Sequence, residues 1–189
     1  KRREFMRFQY NPYALLLLGS ALVAVSLGIY ILLKERKTKG AKIFILCVMV
    51  IAVWAAANAL EMAGTNLETK LFWANMQYLA YCFLPVIILA LCLQFTGHDS
   101  WIKTGRILWL AVFPAIIFTL VWTDESFGLI RYGMYLDYNG NFPVIVKQYN
   151  WLYYVHLLYV YSINLTALLF LLRTIFFGSM IYRRQARIL

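Results

Sequence analysis

The sequence predicts an all-α fold, a polytopic bundle of membrane helices, and three observations carry that prediction. The 189-residue chain is 63% hydrophobic, where soluble domains run at about 45–50%. Only 14% of its residues are charged, against roughly 25% in soluble domains. Its apolar residues are gathered into five long runs, Tyr13–Leu33, Ile43–Leu60, Leu71–Leu93, Ile107–Trp122 and Trp151–Leu172. At about 1.5 Å of rise per residue, runs of this length match the roughly 30 Å hydrocarbon layer of a bilayer.

The first run leads into Lys34-Glu35-Arg36-Lys37 with no small-residue cleavage site, so it reads as a retained span and not as a signal peptide. The second and third follow with short polar connectors. The fourth is short for a span unless it begins nearer Trp101. The fifth can extend through Arg173 towards Tyr182 if the arginine snorkels to the headgroups. The one long connector, Thr123–Asn150, holds two β-prone stretches around Asn139-Gly140, which predicts a short extracellular hairpin. At the far end, Tyr182-Arg183-Arg184-Gln185-Ala186-Arg187 reads as a basic inner loop leading towards a further helix, so residues 1–189 are expected to form one transmembrane domain cut short at its C-terminal end.

The formal net charge of +10 could attract nucleic acid, but the basic residues cluster beside the apolar runs, which is the footprint of membrane topology. With the N-terminus outside, 11 of the 18 Lys and Arg residues fall on the inner side. Four of the remaining seven, Lys1, Arg2, Arg3 and Arg7, lie in the N-terminal tail, where Met6 could be a true start. The expectation is a multi-pass protein of the cell membrane, N-terminus outside and C-terminus cytoplasmic. Cys47, Cys82 and Cys92 all sit within apolar runs, so no disulfide framework is implied.

No catalytic constellation is found. The two histidines, His98 and His156, fall on opposite sides of the membrane, which leaves no metal site. Asp99, Asp124 and Asp137 are placed in loops, and neither a phosphate-cradling glycine loop nor a nucleophile elbow occurs. Every lysine lies in a flank or loop, so these five helices offer no buried amine for a Schiff base, and no cofactor is expected.

Small residues four apart mark helix contact faces: Ser20, Ala24 and Gly28 on the first helix, Ala55, Ala59 and Ala63 on the second. Polar residues inside spans say more, because an unpartnered polar group in hydrocarbon costs several kcal/mol and so faces the bundle interior or a cavity. Trp54, Asn58 and Glu61 share a face of the second helix, Trp73, Gln77 and Tyr81 a face of the third, and Tyr153, His156 and Tyr159 a face of the fifth. The predicted topology puts most of them in the outer half of the membrane. There they would line a polar, aromatic cavity of the kind that binds small molecules, with Asn58, Glu61, Gln77 and His156 as polar contacts and Trp54, Trp73 and Tyr153 as walls. The competing reading of the aromatics is an interfacial belt, which membrane proteins carry whatever their function.

Several blocks resemble the N-terminal seven-transmembrane region of bacterial sensor histidine kinases. They are Trp54-Ala55-Ala56-Ala57-Asn58-Ala59-Leu60-Glu61, then Leu71-Phe72-Trp73-Ala74-Asn75-Met76-Gln77-Tyr78-Leu79, Pro85, and Leu93-Gln94-Phe95-Thr96-Gly97. Trp151, His156-Leu157-Leu158-Tyr159-Val160-Tyr161 and Tyr182-Arg183-Arg184-Gln185-Ala186 continue the pattern. Their order and spacing are the specific part. The resemblance implies five helices present of seven, with a sensory input module detecting a ligand or a membrane state. It further implies relay to a cytoplasmic effector such as a histidine kinase core, a homodimer, and no catalysis by this region itself. It implies no particular ligand contacts. Two other readings stand beside it. A small transporter or half-transporter is weakened by the lack of a broken mid-membrane helix, Pro85 and Pro114 being single prolines. A membrane anchor without sensing is the other.

Overall fold

A computed structural model of the chain describes residues 6–35 and 37–177. The tail residues Lys1, Arg2 and Arg3, Arg36 of the first connector, and the basic stretch from Tyr182 lie outside the described residues. The elements in chain order are α1 (Pro12–Lys34), α2 (Ala41–Ala63), α3 (Leu67–Phe95), α4 (Ser100–Lys103), α5 (Arg106–Leu110), α6 (Val112–Phe127), β1 (Arg131–Asp137), β2 (Val144–Tyr149) and α7 (Trp151–Phe177). Among the described residues five helical stretches are long and apolar enough to cross a membrane, the fourth being Arg106–Asp124 across α5 and α6.

Local chemistry sets the helix starts. Asn11 caps α1 by accepting from Tyr13 N at 3.0 Å, with Pro12 as the first helical residue, where its missing N–H costs nothing. Asn66 caps α3 through Thr69 N at 3.2 Å, and Asn150 accepts from Trp151 N at 2.7 Å where α7 begins. The Asn66 cap starts α3 ahead of its apolar run, so the helix takes in Lys70, which the apolar pattern leaves in a flank, while α2 runs between Gly40 and Gly64.

The fourth span is broken at Ala111, between α5 and α6. Pro114 has no N–H to donate to the Leu110 carbonyl, and the Tyr159 hydroxyl of α7 donates to that carbonyl instead. Pro85 lies inside α3, which continues through it with the proline buried in the bundle.

The most buried span is α3, with α2 on one side and α6 and α7 on the other. Val86, Leu89, Ala90 and Leu93 of α3 pack with Ile107, Ile163 and Ala167 at one end. At the other, Tyr78 and Cys82 pack with Ile117, Val121 and Ile130. The peripheral helix α1 contacts α2 through Ala14, Ala21 and Gly28. This corrects the expected Ser20–Ala24–Gly28 stripe: Ser20 is exposed and returns its hydroxyl to the Leu17 carbonyl. A seven-residue repeat, two full turns, keeps a straight helix facing its neighbour, and Ser20 drifts off that face. On α2, Ala55 and Ala59 are fully packed, with Ala63 half-buried.

The long connector forms an antiparallel hairpin, with Asp137 opposite Val144 and Arg131 opposite Tyr149. Its loop is six residues, longer than a two-residue Asn-Gly turn, and Asp137 Oδ1 tightens it by accepting from Asn139 N at 2.9 Å. Between Tyr132 and Tyr135 the register slips by one residue, so Gly133 and Met134 together face Lys147. Gly133 has φ +62°, the left-handed conformation that such a bulge needs and glycine adopts without strain. The hairpin caps the bundle end where α1, α3 and α7 begin and α2 and α6 finish.

Candidate functional site

Under the hairpin, a cavity of about 340 Å³ opens between α3, β2 and the first turns of α7. Gln77, Tyr78 and Tyr81 of α3 form one wall, Lys147 and Tyr149 of β2 the roof, and Tyr153 and His156 of α7 the other wall. Three of the seven residues expected at a site, Gln77, Tyr153 and His156, therefore meet here. Glu61 joins them through one bond, because Gln77 Nε2 donates to Glu61 Oε2. The other end of the same amide accepts from the Tyr81 hydroxyl at 3.3 Å, giving a continuous Glu61–Gln77–Tyr81 chain from α2 to the cavity wall.

Trp54 is set apart. It packs edge-on against Tyr81, ring centroids 6.5 Å apart, and lines a neighbouring apolar cavity of about 440 Å³ with Pro85 and Asn164. Its indole N–H is buried and unpartnered. Asn58 and Trp73 line neither cavity. Trp73 packs on Phe72 at 5.1 Å.

Some polar atoms of this region are matched, whereas the Trp73 indole N–H, like that of Trp54, and Arg131 Nη1 are buried without a partner. Lys70 is buried and donates from Nζ to the Glu61 carbonyl at 2.7 Å. His156 is buried, with Nε2 3.9 Å from Cys82 Sγ and Nδ1 without a partner. Tyr149 and Tyr153 stack with centroids 3.9 Å apart. Burial pulls the Lys147 amine below its usual value and the Arg131 charge adds to this, with Glu61 acting in the opposite sense. Burial likewise pushes the Tyr149 hydroxyl up.

Behind Tyr78 lies a polar cluster that the sequence pattern does not reveal. Asp124, expected in a loop, sits buried in the last turns of α6. Its carboxylate accepts from Ile130 N at 2.8 Å, Arg131 N at 2.6 Å and Arg131 Nε at 3.4 Å. Arg131 Nη2 donates to Asn75 Oδ1 at 2.5 Å, and its guanidinium lies 5.0 Å from the Tyr78 ring centre. Gly128, at φ +59°, closes α6 and turns the chain so that residues 130 and 131 reach back to Asp124. Asn150 Nδ2 donates to the Gly128 carbonyl at 2.9 Å and ties the start of α7 to the same corner.

Lys147, Tyr149, Tyr78 and Tyr81 complete the cavity. Ile145, Lys147 and Tyr149 alternate along one face of β2, which runs three residues past the β-prone stretch ending at Val146. What the pattern could not supply was the bulge opposite Lys147.

The family model for the N-terminal 7TM region of histidine kinase matches residues 16–189. The chain belongs to that family. It is therefore a multi-pass membrane sensor region of the histidine kinases, in keeping with its apolar helices. Searches of curated proteins and of solved structures gave no match. Among the described residues no group of three or more His, Cys, Asp or Glu could hold a metal ion.

Proposed function

We propose that this region detects a small molecule in the cavity beneath the hairpin and relays its occupancy to a cytoplasmic effector of a histidine kinase. The supporting observation is the Glu61–Gln77–Tyr81 chain, which joins α2 to α3 at the wall of a cavity closed by α7 and the hairpin. Three separate elements, α3, β2 and α7, line one small volume, so a bound molecule touches all three, and Gln77 carries the contact on to Glu61 of α2. It shifts a helix arrangement by the difference in its affinity for the two arrangements.

In this reading the N-terminus and the hairpin are outside, the C-terminus is cytoplasmic, and the kinase acts as a homodimer. Gln77, Tyr153 and His156 contact the ligand, Glu61 orients Gln77, and Trp54 walls the adjoining apolar space. Asn58 and Trp73 belong to helix packing in this reading. The region itself carries out no catalysis. The test is autophosphorylation of the full-length kinase in nanodiscs, with and without an extract that activates it. Glu61→Ala with Gln77→Ala is expected to remove the response and preserve basal phosphorylation. An unchanged response would dismiss the site.

A further inference from the structure

We infer that the cavity takes a small organic anion, a carboxylate on an aromatic or compact apolar body, and that Lys147 is its counter-ion. The inference rests on the sensing cavity proposed above and names its ligand class.

The argument is one of unmatched charge. Two carboxylates lie close to the cavity, and both are engaged: Glu61 by Gln77, with Lys70 bonded to its backbone carbonyl, and Asp124 by Ile130 and Arg131. Lys147 is the one charged side chain in the cavity wall, and among the described residues it has no carboxylate within 4.0 Å. Its ring contact is with Tyr149, 5.9 Å from Nζ to the centroid, and Glu61 acts on it only from beyond ion-pair distance. Lys70, Arg131 and Lys147 against Glu61 and Asp124 leave one positive charge over, and it faces the cavity. A half-buried ammonium without a partner is costly, and an anionic ligand removes that cost.

The remaining lining fits the rest of such a molecule. Tyr78, Tyr81, Tyr149 and Tyr153 offer ring faces and edges to an apolar body. The Tyr149 and Tyr153 hydroxyls make no hydrogen bond among the described residues, so both can donate to a carboxylate beside Lys147. The volume, about 340 Å³, is at the small end of the roughly 300–1,000 Å³ of small-molecule sites, which favours a compact molecule over a lipid. Lys147 shares a face of β2 with Tyr149, and both line the cavity under the hairpin.

The test uses three probes of one shape: 3-phenylpropionate, its neutral amide and the cationic 3-phenylpropylamine. Binding to the full-length protein in phosphatidylcholine nanodiscs at pH 7 is read by saturation-transfer NMR and by thermal shift. The expected result is a preference for the carboxylate of tenfold or more, equivalent to about 1.4 kcal/mol. Lys147→Gln should erase the preference and Lys147→Arg should keep it. Equal binding of the three probes, or tighter binding of the amine, overturns the anion assignment. A preference that survives Lys147→Gln overturns the role of Lys147. Ala74 also lines the cavity, and Ala74→Phe, which fills it, separates this from the underlying reading. Probe binding without charge preference that Ala74→Phe abolishes refutes only the ligand class. No binding of any probe, or binding indifferent to Ala74→Phe, refutes both.

Discussion

Replacing Asp124 by asparagine tests whether the hairpin is held by a buried ionic corner. Asp124 and Arg131 have side chains 0% and 1% exposed, so solvent screens their interaction little. The carboxylate accepts three N–H groups, from Ile130 and Arg131 backbone and from Arg131 Nε. Asparagine keeps one carbonyl oxygen and turns an amide NH₂ towards the other donors. Two bonds to a charged acceptor are lost, each about 1.5–3 kcal/mol, and the guanidinium is left without a counter-charge. Breaking one side of a buried pair costs about 3–5 kcal/mol. Arg131 retains its bond to Asn75 and its place on the Tyr78 ring, which argues for the lower end, about 3 kcal/mol. For a chain of this length that is a fall in Tm of roughly 6–12 °C. Equilibrium unfolding in mixed micelles, followed by tryptophan fluorescence, measures it. Asp99→Asn is the control, since its 3.0 Å pair with Lys39 is 31% and 41% exposed and should matter by under about 1 kcal/mol. Asp124→Asn with Arg131→Met should recover part of the loss, because the uncompensated guanidinium is removed while an acceptor for the backbone N–H groups is kept. An Asp124→Asn protein as stable as Asp99→Asn would refute the reasoning.

Lys147 should give a pH signature. Its folded-state pKa is lowered, so between that value and its ordinary 10.5 the unfolded chain binds more protons and stability rises with pH. Tyr149 opposes this above pH 10, its folded pKa being raised. The wild type minus Lys147→Met difference in Tm, taken from pH 7 to 11, isolates the lysine and should narrow as pH rises; a flat difference contradicts it. Gly40→Ala should destabilise by about 1–3 kcal/mol in the same unfolding assay, since Gly40 has φ +88° and a Cβ there would sit 2.9 Å from the Phe95 ring. Gly28→Leu should loosen α1 from α2, because even a Cβ at this position meets Met49 Sδ and Val48 Cγ2 at 3.3 Å; increased cleavage in the α1–α2 connector by added protease is the readout. Tyr159→Phe should cost about 1–3 kcal/mol by leaving the Leu110 carbonyl unpaired beside the break before Pro114.

The membrane-helix architecture was legible because hydrocarbon thickness imposes a length, and apolar runs of that length stand out against polar connectors. Gln77 and His156 were legible as inward-facing for a related reason: a polar side chain in a span has few places to go, and both are buried. Residues near the helix ends were harder. Asp124 and Arg131 look like loop residues in the sequence, because charge in a connector ordinarily faces water. Only the turn at Gly128 brings the two together out of solvent. Lys147 was hidden by the same effect, a charged strand residue on the face of β2 that covers a cavity. Trp73 shows the converse. Helical spacing puts it on the Gln77 face, yet its ring packs on Phe72, since spacing fixes the direction of Cβ and leaves the rotamer to the neighbours.

Tyr78 joins the two halves of this end of the molecule. One side of its environment is the cavity, and the Arg131 guanidinium lies over its ring. Arg131 is fixed in turn by Asp124 of α6 and Asn75 of α3. A molecule that displaces the Tyr78 ring must disturb that guanidinium, and because the interior is close-packed the disturbance passes to α6 as a discrete rearrangement rather than a soft deformation. The Glu61–Gln77–Tyr81 chain connects the same cavity to α2. In the proposed sensing reading these are two separate outlets, and they make different demands. Tyr78→Phe keeps the ring under Arg131 and should keep coupling to α6, whereas Tyr78→Leu keeps the apolar volume and loses the aromatic face. A response of the full-length kinase that survives both substitutions assigns the relay to the α2 outlet; one that survives only phenylalanine assigns it to the ionic corner.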